Sequence, residues 1–467
     1  MSKPFEEKGV WVFGAHPSHE FQGDLNWGPT SGATLVVRVL DLEVYTYFAK
    51  SLGCDCSVHG RLQTRPCVSL ADAKVVRISG NPWDAEVEIH ARRLLKGPSS
   101  VECWDGVSVT DLSVEFTGLN EWVNNTTIKV KGDVHVLRLE SERRVESLFF
   151  EDEDLRVFIS QSHRSSHSRF SFSVDSVTRF EIRPKKPMTF KLVKQFMDEI
   201  RAYLTFATDA PVVAEAVSLI LSDQSEPPNA AGIPSIYDYF EQTDRTTFES
   251  SRKNYLEHRM LFELTPEPDS ALAFSKFLEL YKKYPAILDF YFAQTYGSES
   301  YLYQQFCDMT FGLEGLHRAL HGGCYMDKRD YKLKVLCLIR HCIPGWIPGE
   351  LKSSIGNRID SANNYSLRDR LLSLAERHKA YVGPYLGDAE LFAKTVTGMR
   401  NDIAHAKRGL PKDAAGQHKI LALLYRVRLL FQLELLVQLG FSLQYIANRV
   451  PFLRSAYVCS RYQILAQ

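Results

Sequence analysis

The sequence predicts a multi-domain α+β chain: an antiparallel β-rich N-terminal domain, sandwich or open barrel, followed by an all-α helical bundle. Three observations predict it. Over the first ~185 residues, short runs alternate apolar and polar side chains between Gly, Asn, Asp and Pro, the pattern of antiparallel sheets with one wet face. From residue 271 onward, apolar residues recur at three and four, as on one face of a helix. Between the two patterns TPEPDS (265–270) breaks both. The boundary set there gives a β-rich domain over 1–265, with some helix after 185, and a helical domain over 270–467; a 467-residue length suits two or three domains.

Taken in order, TLVVRVLDLEVYTYF (34–48), AKVVRIS (73–79), AEVEIHA (85–91), TIKVKGDVHVLRLE (127–140) and RFSFSV (169–174) read as strands. Thr189 is placed to cap a helix whose apolar positions are Leu192, Phe196, Ile200 and Tyr203. PVVAEAVSLIL (211–221) alternates again and adds a strand, and SDQSEPPNAAGIPS (222–235) is a loop. Asp269 or Ser270 caps the next helix. The most apolar stretch, ILALLYRVRLLFQLELLVQLGF (420–441), is interrupted by Arg426, Arg428 and Glu434, so it reads as a buried or interface helix and not as a membrane span.

Composition narrows the function classes. Lys+Arg and Asp+Glu both number 56, so net charge gives no signal for nucleic acid or an anionic membrane surface, while a local basic groove stays open. Hydrophobic residues make up 45% of the chain, enough for real cores and too much for a disordered chain. Nine cysteines do not form a small disulfide scaffold, and MSKPFEEKGVWVFG lacks an apolar signal core, so a cytoplasmic location is expected. Cys54, Cys56, His59 and Cys67 match no common zinc spacing and run into a strand pattern, which favours incidental thiols. No Walker lysine loop or Rossmann glycine fingerprint occurs, and no cofactor is expected.

Two helices carry chemistry. In SESYLYQQFCDMTFGLEGLHRALHGG (298–323), Leu302, Phe306, Met309, Leu313, Leu316 and Leu320 form a buried seam, and Gly322 and Gly323 stop the helix. Thr310, Glu314, His317 and His321 line its flank; a solvated or interface flank is the plain reading of the histidines, and a Glu/His metal site the sharper one. In DAELFAKTVTGMRNDIAHAKRG (388–409), Phe392, Val396, Met399 and Ile403 form the core stripe, with Gly409 and Pro411 as terminators. Asn401 and His405 point away from that stripe, beside Lys394, Thr397 and Gly398, with Arg400 on the flank. A polar face is ordinary on a helix. Gly398, however, costs about 1 kcal/mol against Ala there, which suits a close approach by another backbone or a ligand. Arg followed by His after four to six residues occurs three times (Arg156/His163, Arg252/His258, Arg400/His405), and chance alone predicts about three, so only the helical context singles out Arg400/His405.

MRNDIAHAKRG resembles the signature helix of the HEPN superfamily, in its Arg-Asn-x-x-x-His form, and GLEGLHRAL resembles the HEPN helix that supplies an acidic residue, here Glu314. KGVWVFG (8–14), FQGDLNW (21–27) and VHGRLQTRPCVSLADA (58–73) resemble the β-rich domain of ApeA-type anti-phage proteins. The resemblance implies a HEPN-like bundle and a metal-independent endoribonuclease of abortive-infection defence. It would cleave tRNA or another structured RNA at a composite site across a homodimer, or across a higher assembly of dimers. The β-rich domain would be the sensor or regulator, where a phage-derived trigger acts.

The residues suit that chemistry. His405 can serve as acid or base near neutral pH. Arg400 offers a permanently charged fork to the transition-state oxygens. Asn401 or Asp402 would orient phosphate or imidazole, and Glu314 would hold Arg400. Lys407 and Arg408 would bind RNA backbone, although favourable charge at a helix C-terminus alone accounts for them. The alternatives are a catalytically silent HEPN protein that binds RNA or a partner, and a metal-dependent hydrolase using Glu314, His317 and His321.

Overall fold

The computed structural model describes residues 3–464 except 15, 102–103, 105, 125–127, 134–135, 142–143, 168–171, 223–234, 252–259, 265–268, 297–300 and 406–412. The chain divides into two compact units, Met1–Ser275 and Lys276–Gln467.

The first unit begins with a closed barrel. Its strands are β1 (Phe5–Phe13), β2 (His16–Gly28), β3 (Gly32–Val39), β4 (Asp55–Leu62), β5 (Cys67–Asn81) and β6 (Asp84–Ala91). They pair antiparallel in the ring β1-β2-β3-β6-β5-β4 and back to β1, which decides between sandwich and barrel and removes the free edges. The alternation seen in sequence is the cause: Ala85, Val87, Ile89 and Ala91 all point inward from β6, facing Leu35 and Val37 from β3. Trp11 is fully buried at the centre, and its bulk explains the glycines around it. Gly60 opposes Trp11 across β1–β4, and a Cβ on Gly60 would sit 2.5 Å from the indole. Gly23 on β2 leaves room on the other side, where its carbonyl accepts a hydrogen bond from Trp11 Nε1 at 3.3 Å.

One strand expectation is overturned inside this barrel. Residues 34–48 do not form a single strand: β3 ends at Val39, and α1 (Leu42–Lys50) follows. The Asp41 carboxylate accepts hydrogen bonds from the amides of Glu43 and Val44, and this cap starts a helix whose Val44 and Phe48 plug the barrel core. The alternation in LEVYTYF hid the spacing of four between those two side chains.

β5 joins the barrel to the rest of one continuous sheet, with β4 along one edge and two successive partners along the other. Residues 67–71 pair with β7 (Arg93–Gly97), whereas residues 74–81 pair with β6. The change of partner falls at Asp72, whose φ of 55° lies in the left-handed region. Its carboxylate accepts two hydrogen bonds from Arg93, at 2.7 and 3.0 Å. Beyond β7 the sheet continues through β8 (Ser108–Phe116), β11 (Arg144–Glu151), β12 (Leu155–His167), β13 (Phe172–Pro184), β15 (Ala214–Leu221) and β16 (Ile236–Glu241), in the order β7-β16-β15-β8-β13-β12-β11. β9 (Ile128–Asp133) and β10 (Val136–Ser141) form a separate hairpin, and β14 (Met188–Thr189) pairs with β8. α2 (Leu119–Val123) and α3 (Phe190–Thr208) pack here, with Trp122 and Tyr203 in edge contact at 6.0 Å; α4 is Arg245–Ser251. The inward stripe of α3 is Phe190, Val193, Phe196, Ile200 and Tyr203, while Leu192 is 49% exposed, so the sequence reading was one residue out of phase at its start. Thr189 holds the N-cap position without a side-chain hydrogen bond. Nearly all of the 222–235 loop, and Arg252/His258, lie outside the described residues.

The helical region runs α5 (Ser270–Lys283), α6 (Pro285–Tyr296), α7 (Leu302–His321), α8 (Lys328–Asp330), a π-helical turn (Tyr331–Leu336), α9 (Cys337–His341), α10 (Gly349–Ser361), α11 (Leu367–Arg377), α12 (Lys379–Leu386), α13 (Ala389–Ala404), α14 (Ala414–Leu439), α15 (Leu443–Arg449) and α16 (Arg454–Ile464). The Asp269 carboxylate caps α5 through the Ala271 amide at 3.0 Å. α14 is the axis of the bundle, buried around most of its circumference and packed by α7 and α16. Its buried Arg428 donates to Gln294 Oε1, the Tyr291 hydroxyl and Thr295 Oγ1 on α6, which is how the apolar core holds a guanidinium. No helix among the described residues is long and apolar enough to cross a membrane.

Candidate active site

α13 presents Arg400 and His405. The Asp388 carboxylate starts the helix by accepting from the Leu391 amide at 2.7 Å, and Phe392, Ala393 and Val396 bury its inner stripe. Met399 and Ile403, the other expected core positions, are half-buried. The helix ends at Ala404, and His405 is its C-cap, with its amide bonded to the Asn401 carbonyl at 3.0 Å. The His405 side chain is exposed. Arg400 is half-buried, one turn earlier. Its Nη1 donates to Asn401 Oδ1 at 3.1 Å, its guanidinium carbon lies 4.9 Å from the centre of the Phe311 ring on α7, and its shielded Nε has no hydrogen-bond partner. Asn401 therefore orients the arginine directly, and Asp402 is half-buried beside it. Gly398 is exposed with open space where its Cβ would stand, so no described residue requires a glycine there. Lys407 and Arg408 lie outside the described residues.

Glu314 does not hold Arg400. Its carboxylate pairs with Arg318 one turn along α7, at 2.8 Å. The α7 groups that face Arg400 are Phe311 and Cys307; burial and Asp308 push the Cys307 thiol up, and the nearby Arg400 opposes them.

The two α7 histidines are not on a wet flank. His317 is 1% exposed, and its Nδ1 lies 3.0 Å from Nη1 of the equally buried Arg370 on α11, which also donates to the Gly322 carbonyl at 2.5 Å. Burial, then His321 and Arg370, push the His317 pKa down to about 4. The neutral ring accepts from Arg370 at Nδ1 and leaves its proton on Nε2, which is buried without a partner. His321 Nε2 donates to Glu434 Oε1 at 2.8 Å, and His378 Nε2 donates to Glu434 Oε2 at 2.9 Å. Burial would raise the Glu434 pKa, yet the hydrogen bonds from the two histidines overcome it and bring it down to about 2. Gln438 and Arg377 complete this centre, at 3.1 Å from Glu434 and 3.3 Å from His321. Glu314, His317 and His321 thus turn to three different partners. Among the described residues no group of three or more His, Cys, Asp or Glu side chains is placed to hold a metal ion. Nothing in the sequence pairs Glu434 with His321 or His378; its one trace is a carboxylate in the apolar stretch 420–441, which also holds Arg426 and Arg428.

The end of α13 thus presents a half-buried guanidinium held by Asn401 and an exposed imidazole. Comparison with known proteins places them in a family. Residues 6–275 match the family described as ApeA N-terminal domain 1, and residues 308–445, from α7 into α15, match the Apea-like HEPN family. No curated protein and no solved structure matches the chain. With one family match spanning the β-rich unit and the other spanning the helices that carry Arg400 and His405, the chain belongs to the ApeA family of HEPN-domain defence proteins.

Proposed function

We propose that this protein is a metal-independent endoribonuclease of anti-phage defence, with Arg400 and His405 as its catalytic residues. One observation carries the reading: in the Apea-like HEPN segment, α13 ends with an arginine held by Asn401 and an exposed histidine. The 2′-hydroxyl of the RNA gives its proton to a base and attacks the adjacent phosphorus. The P–O5′ bond breaks, and an acid returns a proton to the departing 5′-oxygen, leaving a 2′,3′-cyclic phosphate and a 5′-hydroxyl. Arg400 compensates the charge on the non-bridging oxygens. His405 takes one of the two proton-transfer roles.

One histidine per chain serves one role. A homodimer that joins two α13 faces supplies the second, and the open space at Gly398 leaves room for such an approach. Structured RNA such as tRNA is the substrate class, with Lys407 and Arg408 on its backbone. The β-rich unit acts as the sensor for a phage-derived trigger, in a protein that works in the cytoplasm. The experiment is cleavage of total bacterial RNA in excess EDTA by wild type, His405→Ala and Arg400→Ala. Cleavage by wild type alone is expected. Equal cleavage by His405→Ala removes that residue from the mechanism, and RNA binding without cleavage by wild type favours a silent binding protein.

A further inference from the structure

At the other end of α13 lies a cavity of about 820 Å³, walled by the first turns of α13 and α14, the end of α12 and the last turn of α16. Spaces of roughly 300–1,000 Å³ hold small-molecule ligands. The floor is apolar, with Phe392 and Leu423 each 2% exposed. His418, Ala422 and Arg426 recur at a spacing of four along α14, so the histidine and the arginine stand on one face above that floor, with Lys419 beside them. Arg426 is half-buried, its shielded Nε has no hydrogen-bond partner, and no carboxylate pairs with it among the described residues. The acid in the wall, Asp388, already uses Oδ1 to cap α13. A half-buried guanidinium above an apolar floor, with no counter-ion beside it, is a ready partner for an anion. The His418 ring lies 5.1 Å from that of Tyr462 at an interplanar angle of 33°, which forms a platform for a flat group at the rim.

We propose that this cavity binds a small organic phosphate carried on a flat ring. The phosphate sits on Arg426 and Lys419, and the ring lies on the His418–Tyr462 platform and the apolar floor. A free nucleotide and a simple aryl phosphate share this chemistry.

The test is isothermal titration calorimetry of the full chain with AMP, phenyl phosphate and inorganic phosphate. A ring-bearing phosphate is expected to bind at least about tenfold more tightly than inorganic phosphate, and Arg426→Gln to weaken that binding at least about tenfold. AMP binding alone identifies a nucleotide site, and equal binding of phenyl phosphate shows that ring and phosphate suffice. Where Arg426→Gln fails to fold, His418→Ala/Lys419→Ala decides, since both side chains are exposed. The inference is overturned if neither ring-bearing probe binds more tightly than inorganic phosphate, or if a folded variant binds as wild type does. The readout is heat of binding and not RNA cleavage, so failure here and failure of the ribonuclease reading are separate results.

Discussion

The helical unit holds two polar centres built from the same side chains, and they differ in what is left over. At the Glu434 centre, two histidines share a fully buried carboxylate, one oxygen each, and that carboxylate's charge is answered inside the fold. At the end of α13, Arg400 keeps an unused Nε and His405 faces solvent. Both contain His and a charged partner, so residue type alone cannot separate scaffold from reactive site. Exposure separates them: the His321 and His378 rings are turned inward onto Glu434, whereas the His405 ring is open to solvent.

The comparison breaks most visibly in activity. His405→Ala is expected to lower RNA cleavage by about 10²–10⁴-fold while leaving the thermal midpoint where it was; a shifted midpoint with retained cleavage would exchange the roles of the two centres. Next in size, His378→Ala strips one partner from buried Glu434, and urea unfolding should show a loss of about 3–5 kcal/mol, with secondary structure retained in the folded fraction.

Acid sharpens the contrast further. Below 6.5 the unfolded chain protonates His317, whereas the folded chain resists down to about 4, so stability falls as pH is lowered through that window. Glu434 acts in the same direction at lower pH: its contribution is full above 4.5 and drains away toward 2. Thermal midpoints taken from pH 7 to pH 4 should therefore decline, and His317→Gln, which still offers Arg370 an acceptor, should flatten the first part of that decline. The smallest effect belongs to Gly398→Ala. Within one chain it should stabilise α13 by up to about 1 kcal/mol. Sedimentation should show a weakened dimer if two α13 faces meet there, and an unchanged one if they do not.

Much of this was legible where the information is local. β3, the second half of β5 and β6, the capped start of α5 and the stop after α7 follow from alternation, Asp269, and Gly322 with Gly323. On α13, helical context and not Arg–His spacing separates Arg400/His405 from two other pairs, and the structure keeps both residues at one helix end. What failed was either local competition or long range. LEVYTYF alternates, but the Asp41 cap won. Glu314 had a nearer cation, Arg318, than the arginine it was expected to hold. His317 and His321 read as a solvated or interface flank, and their partners stayed unseen because Arg370 and Glu434 stand 53 and 113 residues away in sequence. Barrel closure was hidden for the same reason, since the β1–β4 and β3–β6 pairings join strands that are not neighbours in the chain.

The kink at Asp72 has a mechanical meaning. Residues 67–71 of β5 pair with the barrel strand β4 on one edge and with β7 on the other, so the barrel cannot fray there without loading the rest of the sheet. A push on the barrel is then felt in the neighbouring strands through a shared, hydrogen-bonded strand rather than through a soft interface. Amide hydrogens on either side of Asp72 would exchange together, at the rate of whole-unit opening.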